Sequence, residues 1–122
     1  MLNMMKGATD LDFKYEQQFK KGALEMMLLS IISRKRTYGY EIILNLNNAG
    51  EPLFQNIKEG TLYPVLYRLE DSGLVISELS TSENSGRAKK YYKITDLGTS
   101  TLQEMKGFWQ SYKNCIDKLM ES

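Results

Sequence analysis

Apolar residues recur along this chain with changing period, and each period marks an element. From Ala23 to Ile32 the residues Ala23, Leu24, Met26, Met27, Leu28, Leu29, Ile31 and Ile32 leave almost no polar side, which predicts a core helix packed all round. Ahead of it, Met1 to Asp12 is polar, small and aperiodic, so a loose arm is expected there and helix only after Asp12. Ile42, Ile43 and Leu46 form the buried stripe of a second helix. Thr37 is its candidate N-cap, Tyr38, Gly39 and Tyr40 its first turn, and Gly50 and Pro52 its stop. A polar connection through Asn56 and Lys58 leads to a third stripe, Leu62, Val65, Leu66 and Leu69. Gly73 followed by Leu74 reads as the glycine C-cap of that helix. Pro64 belongs in a first turn, where no intrahelical amide bond is lost, so the helix starts near Gly60 or Thr61 or else bends.

After Gly73 the period shortens. Leu74 to Ser80 and Lys89 to Thr95 are rich in β-branched and aromatic residues, and Thr81 to Ala88 between them is turn chemistry throughout, which predicts a hairpin. Thr95 then caps a last helix in which Leu102, Met105, Trp109, Tyr112, Ile116 and Leu119 recur in steps of three and four, widened by Phe108 and Cys115. The fold class is therefore mainly α with a small β-hairpin. Residues 1–12 form the arm, 13–95 a winged helix-turn-helix with the third helix in the recognition position, and 96–122 a C-terminal helix.

Composition narrows the function. At 122 residues, 42% of them hydrophobic, the chain is one domain with a modest core. Its single cysteine, Cys115, excludes an internal disulfide and points to a reducing compartment. There is no histidine, which removes histidine acid–base chemistry and histidine metal ligation. No phosphate loop, metal cluster or serine or cysteine with a visible base stands out, so neither an enzyme nor a cofactor is expected. With no run of roughly 20 apolar residues and no basic-then-apolar N-terminus, the expected location is the cytoplasm. The net charge of +1 does not announce a nucleic-acid binder, so the placement of charge decides.

Two places concentrate the relevant chemistry. The third helix keeps Thr61, Tyr63, Pro64, Tyr67 and Arg68 off its apolar stripe, a set of hydroxyls, rings and one guanidinium suited to phosphates and base edges. The hairpin carries Arg87, Lys89, Lys90 and Lys93 with no acid between them, and Ser85-Gly86-Arg87 at its tip can lie along a phosphate strand or enter a minor groove. Gly39 lets a backbone or ligand approach a helix N-terminus, where anions are favoured. The structural alternatives are that Tyr38 and especially Tyr40 pack on the next helix, that the wing is a solvated hairpin, and that Arg34-Lys35-Arg36 only complements a helix dipole.

Taken together, Tyr38-Gly-Tyr-Glu-Ile42, Glu59-Gly-Thr-Leu-Tyr-Pro-Val-Leu-Tyr-Arg-Leu-Glu70, Gly73-Leu74, Gly86-Arg87, Lys90-Tyr-Tyr-Lys-Ile-Thr95 and Gly98 resemble the PadR family of bacterial transcriptional regulators over roughly Lys21 to Met120. The resemblance implies a winged helix-turn-helix that dimerises through a C-terminal helix and represses from a palindromic operator. In several branches a small phenolic or lipophilic cationic compound releases it. By position it assigns DNA contacts to Tyr38, Gly39, Thr61, Tyr63, Pro64, Tyr67, Arg68, Gly86, Arg87, Lys89 and Lys90. The short C-terminal part is similar to the compact branch, where a tryptophan of the dimer helix stacks flat drugs beside its symmetry mate.

Read on its own, the last helix offers the same surface, because so small a domain cannot cover Leu102, Met105, Phe108, Trp109, Tyr112, Ile116 and Leu119 from within. A two-fold partner is the natural lid; the alternative is a seam folded back inside the monomer. Trp109, with Phe108 and Met105, is either an interface core or a platform for an aromatic or cationic effector. Met26 and Met27 are either plain core or an adaptable lining for it, and Asp117 and Glu121 either solvated carboxylates or attractors of a cation. The competing function is a winged helix used only for protein association.

Overall fold

The computed structural model describes residues 9–49, 57–81 and 88–121, with residues 9–14, 16, 17 and 49 described by backbone alone. Its elements are α1 (Thr9–Arg34), β1 (Thr37–Tyr38), α2 (Gly39–Ala49), α3 (Glu59–Asp71), β2 (Val75–Thr81), β3 (Ala88–Ile94) and α4 (Asp96–Met120). The first helix begins at Thr9, within the stretch read as a loose arm; residues 1–8 of that arm lie outside the described residues. Its apolar segment is not packed all round. Leu24, Leu28, Leu29 and Ile32 are buried, while Met26, Met27 and Ile31 are half-buried on the flank nearer α4.

Thr37 does not cap α2. Thr37 and Tyr38 instead form a two-residue strand paired antiparallel with Tyr92 and Tyr91, and Thr37 is buried, its hydroxyl donating to Glu41 Oε1 at 2.6 Å. A β-branched and an aromatic residue satisfy a strand edge as readily as a helix start, and only the distant β3 decides between them. The expected hairpin is thus part of a three-stranded antiparallel sheet ordered β1-β3-β2. The helix that follows begins at Gly39 and buries Ile42 and Leu46, with Ile43 half-buried. Gly50, Pro52 and Asn56 lie outside the described residues.

The third helix starts at Glu59, where the Lys58 carbonyl accepts from the Thr61 and Leu62 amides at 3.0 and 3.1 Å. Pro64 therefore sits inside the helix, beyond its first turn, and the Gly60 carbonyl loses its usual amide partner, a defect worth ~3 kcal/mol. Burial of Leu62, Val65, Leu66 and Leu69 contributes about 1.5–3 kcal/mol for each such side chain and outweighs it. At the other end the Gly73 amide bonds the Glu70 carbonyl and the Leu74 amide the Leu69 carbonyl, both at 2.9 Å. Gly73 has φ 78°, the left-handed conformation of the expected glycine cap.

Thr95 ends the sheet and starts α4 at once. Its hydroxyl accepts from the Gly98 amide at 2.9 Å and donates to the Gly73 carbonyl at 2.7 Å, so one side chain satisfies a helix N-terminus and ties it to the α3–β2 turn. A Cβ on Gly98 would collide with the Leu74 carbonyl. Leu102 is buried in the chain's own core, which removes it from the surface expected to meet a partner. Among the described residues no helix is long and apolar enough to cross a membrane, and no acidic or cysteine cluster has the arrangement of a metal site.

Candidate nucleic-acid interface

The buried stripe of α3 fixes what its other faces show. Tyr63 and Tyr67 lie one turn apart and so share a line along the helix, 43% and 68% exposed, with Thr61, Pro64 and Arg68 also exposed. The close approach anticipated at Gly39 is made from within: a Cβ there would collide with the Tyr63 hydroxyl. Glycine at the start of α2 is what allows that phenol to lie against the neighbouring helix.

Tyr40, expected to pack against the next helix, is 62% exposed. With Thr37 and Tyr38 drawn into the sheet, the helix begins a residue or two later than expected, and Ile42 and Leu46 take the inward positions. Tyr38 meets Tyr91 edge to face, centroids 5.3 Å apart, with Lys89 Nζ 4.4 Å above its ring. Arg36 lies 4.0 Å above Tyr91 and bonds Glu78 Oε1 through Nε at 3.0 Å. Arg36, Tyr91, Tyr38 and Lys89 thus form one cation–π stack on the outer face of the sheet. The sequence reading credited Arg36 only with a helix dipole, and no local signal marks a partner 42 residues away.

On the opposite face of the sheet Tyr92 is buried. Burial, then the nearby Glu70 carboxylate and Tyr63, push its hydroxyl above the ordinary tyrosine pKa of 10.0, because each disfavours the phenolate. Glu70 accepts a hydrogen bond from Ser77 and lies 3.6 Å from Lys90 Nζ. Lys90, expected on phosphate, is therefore engaged with α3, whereas Lys89 lies on the outer face. Arg68 is likewise held, its Nε 3.3 Å from Glu25 of α1. Gly86 and Arg87, the wing tip, lie outside the described residues.

Glu78, Glu70, Glu25 and, for Lys35 at 3.7 Å, Glu41 each stand beside a cation of this surface, which explains how a basic face and a net charge of +1 coexist. Exposed pairs of this kind are worth roughly 0–1 kcal/mol each, so exchange of carboxylate for phosphate costs little.

The C-terminal half of α4 carries a second surface. Trp109 is 42% and Leu119 72% exposed, and Phe108 and Tyr112 stack at 5.7 Å. Cys115 is exposed as well, and Asp117 is bridged to Lys113 at 3.0 Å. Trp109 and Met26 border two grooves: one of about 290 Å³ among α1, α2 and α4, with Met27, Ile31, Asn45 and Lys106, and one of about 480 Å³ between α1 and α4, with Phe19, Glu25, Met105, Phe108 and Tyr112.

Residues 28–104 match the model of the transcriptional regulator PadR-like family. The chain is similar to the transcriptional regulator Rv3488 of Mycobacterium tuberculosis, at 31% identity over 72% of this chain and 77% of that one. It is similar to the solved PadR-like transcriptional regulator BC4206 of Bacillus cereus, at 37% identity and TM-score 0.74 over 86% of this chain and 98% of that one. It also resembles a solved PadR family transcriptional regulator of Eggerthella lenta, at 32% identity and TM-score 0.82 over 96% and 98% of the two chains.

Proposed function

This chain belongs to the PadR-like family of transcriptional regulators, and from that premise we propose that it is a homodimeric repressor of a palindromic DNA operator. The observation that carries the reading is the α3 surface: a helix whose apolar side is fully buried turns Tyr63, Tyr67 and Arg68 outward, beside a sheet bearing Lys89 and Lys93. In this reading Thr61, Tyr63, Pro64, Tyr67 and Arg68 read the groove, Gly39 seats the Tyr63 phenol, Tyr38 contacts DNA from β1, and Gly86, Arg87 and Lys89 meet the backbone. Lys90 acts through Glu70 more than through phosphate.

Dimerisation uses Met105, Phe108, Trp109, Tyr112, Ile116 and Leu119, the open part of the seam, and sets the two copies of α3 about 34 Å apart to match successive turns of DNA. The groove beside Trp109, Phe108 and Met105 takes a small aromatic or cationic effector that releases the operator. Release requires the effector to bind the DNA-incompetent dimer more tightly than the competent one.

Anisotropy titrations with fragments of the chain's own promoter region, together with sedimentation, test the reading. It predicts a dimer that retains one fragment against excess unrelated duplex, with affinity falling steeply as salt rises. A monomer indifferent to every duplex at low salt would overturn it. The carboxylates beside the cations favour one other reading, a winged helix for protein association; weak, salt-insensitive retention on heparin would support that instead.

A further inference from the structure

We propose that Glu25 couples the α1–α4 groove to the recognition helix, as the carboxylate shared between a bound aromatic cation and Arg68. The proposal rests on the effector reading above and extends it to how the signal reaches α3.

Glu25 borders the 480 Å³ groove together with Met105, Phe108, Trp109 and Tyr112, and its Oε1 is also the atom that accepts from Arg68 Nε at 3.3 Å. A groove with four aromatic rings, Phe19 included, and one carboxylate at its edge has the complementarity of a flat organic cation, whose charge is attracted both by ring faces and by the acid. The same carboxylate can serve only one of the two cations at full strength.

The pair with Arg68 runs through Nε, so the terminal guanidinium nitrogens can present a two-donor fork to acceptors on DNA. Glu25 is thus a positioning residue for Arg68: it fixes the plane of the guanidinium without occupying its outer edge. A cation in the groove draws the carboxylate away, and Arg68 loses its orientation. Coupling through one shared group is reciprocal, so removing Arg68 must strengthen binding of the cation.

The test titrates the dimer with N-methylquinolinium and with uncharged quinoline, following fluorescence of Trp109, the chain's one tryptophan. Wild type, Glu25→Gln and Arg68→Ala are compared. Arg68→Ala is expected to bind the cation about threefold more tightly with quinoline unchanged, and Glu25→Gln to lose about threefold of the preference for cation over quinoline, the scale of one half-exposed ion pair. The cation should also weaken binding of the promoter fragment in wild type and not in Glu25→Gln. Equal responses of all three proteins would overturn the coupling while leaving the effector groove in place. Absence of quenching by either probe would overturn both, the groove then being closed by a second copy of the chain.

Discussion

The helices α3 and α4 carry apolar residues at the same three-and-four spacing, and the fold treats them in opposite ways. The stripe of α3 is wholly buried in its own protomer, and the rings left outside, Tyr63 and Tyr67, end in hydroxyls. In α4 only Gly98 and Leu102 are buried, and of the rings left outside, Phe108, Trp109 and Tyr112, only Tyr112 ends in a hydroxyl. The first helix is finished within one chain and offers polar tips. The second is unfinished and offers flat apolar area, which water disfavours and a like surface satisfies. Periodicity alone does not separate the two uses; what lies beyond the stripe does.

The contrast is sharpened most by matched leucine changes. Leu66→Ala is expected to destabilise the fold by about 2–5 kcal/mol, as large-to-small core changes do, seen as a lowered Tm at every protein concentration. Leu119→Asp should leave folding of the protomer nearly intact and abolish the rise of Tm with concentration that marks a dimer. A Leu119→Asp protein still sedimenting as a dimer would break the comparison.

Next in size come the polar tips. Tyr63→Ala and Arg68→Ala should each cost the operator roughly 1–3 kcal/mol, the range for a base-reading side chain, with the dimer unchanged by sedimentation. Wild-type affinity for both would remove α3 from the reading role. Gly39→Ala should produce a smaller loss, because the added methyl pushes the Tyr63 phenol aside without deleting it, and its Tm should stay close to wild type.

Smaller still is the difference between the two wing lysines. Lys89→Ala should weaken all duplexes alike and reduce the salt slope by about one. Lys90→Ala should move the slope less, since its charge is already beside Glu70. The smallest effect concerns Tyr92. With its pKa raised in the fold, the neutral phenol is the favoured form, so its contribution to stability is complete below 10.0 and is lost as pH climbs through the folded value. Tyr92→Phe should flatten that alkaline decline in a Tm-versus-pH series.

Local chemistry made much of this legible. The Gly73-Leu74 cap, the Thr95 cap, the α3 stripe and the β2 and β3 strands follow from residues within a few positions of one another, and each appears within a residue or two of its expected place. Thr37 and Tyr38 join a strand instead of starting a helix, and the strand that claims them lies more than 50 residues on. The same distance hid the carboxylates: Glu25 meets Arg68 and Glu78 meets Arg36 across more than 40 residues, and nothing near either arginine announces the pairing. Leu102 shared the period of the α4 seam, and only the packing of the first turns of α4 shows that the period begins one position before the surface does.

The contact between Gly98 and the Leu74 carbonyl makes the base of α4 a rigid hinge pin. The helix runs from that point to Met120, a lever of about 33 Å, so a tilt of ~10° at the pin displaces its far tip by about 6 Å. In the proposed dimer, two such levers clasped at their tips would translate a small angle at the pin into a change in the span between the two copies of α3. Even one methyl group inserted at Gly98 would then re-gauge the half-site spacing that the proposed pair could straddle.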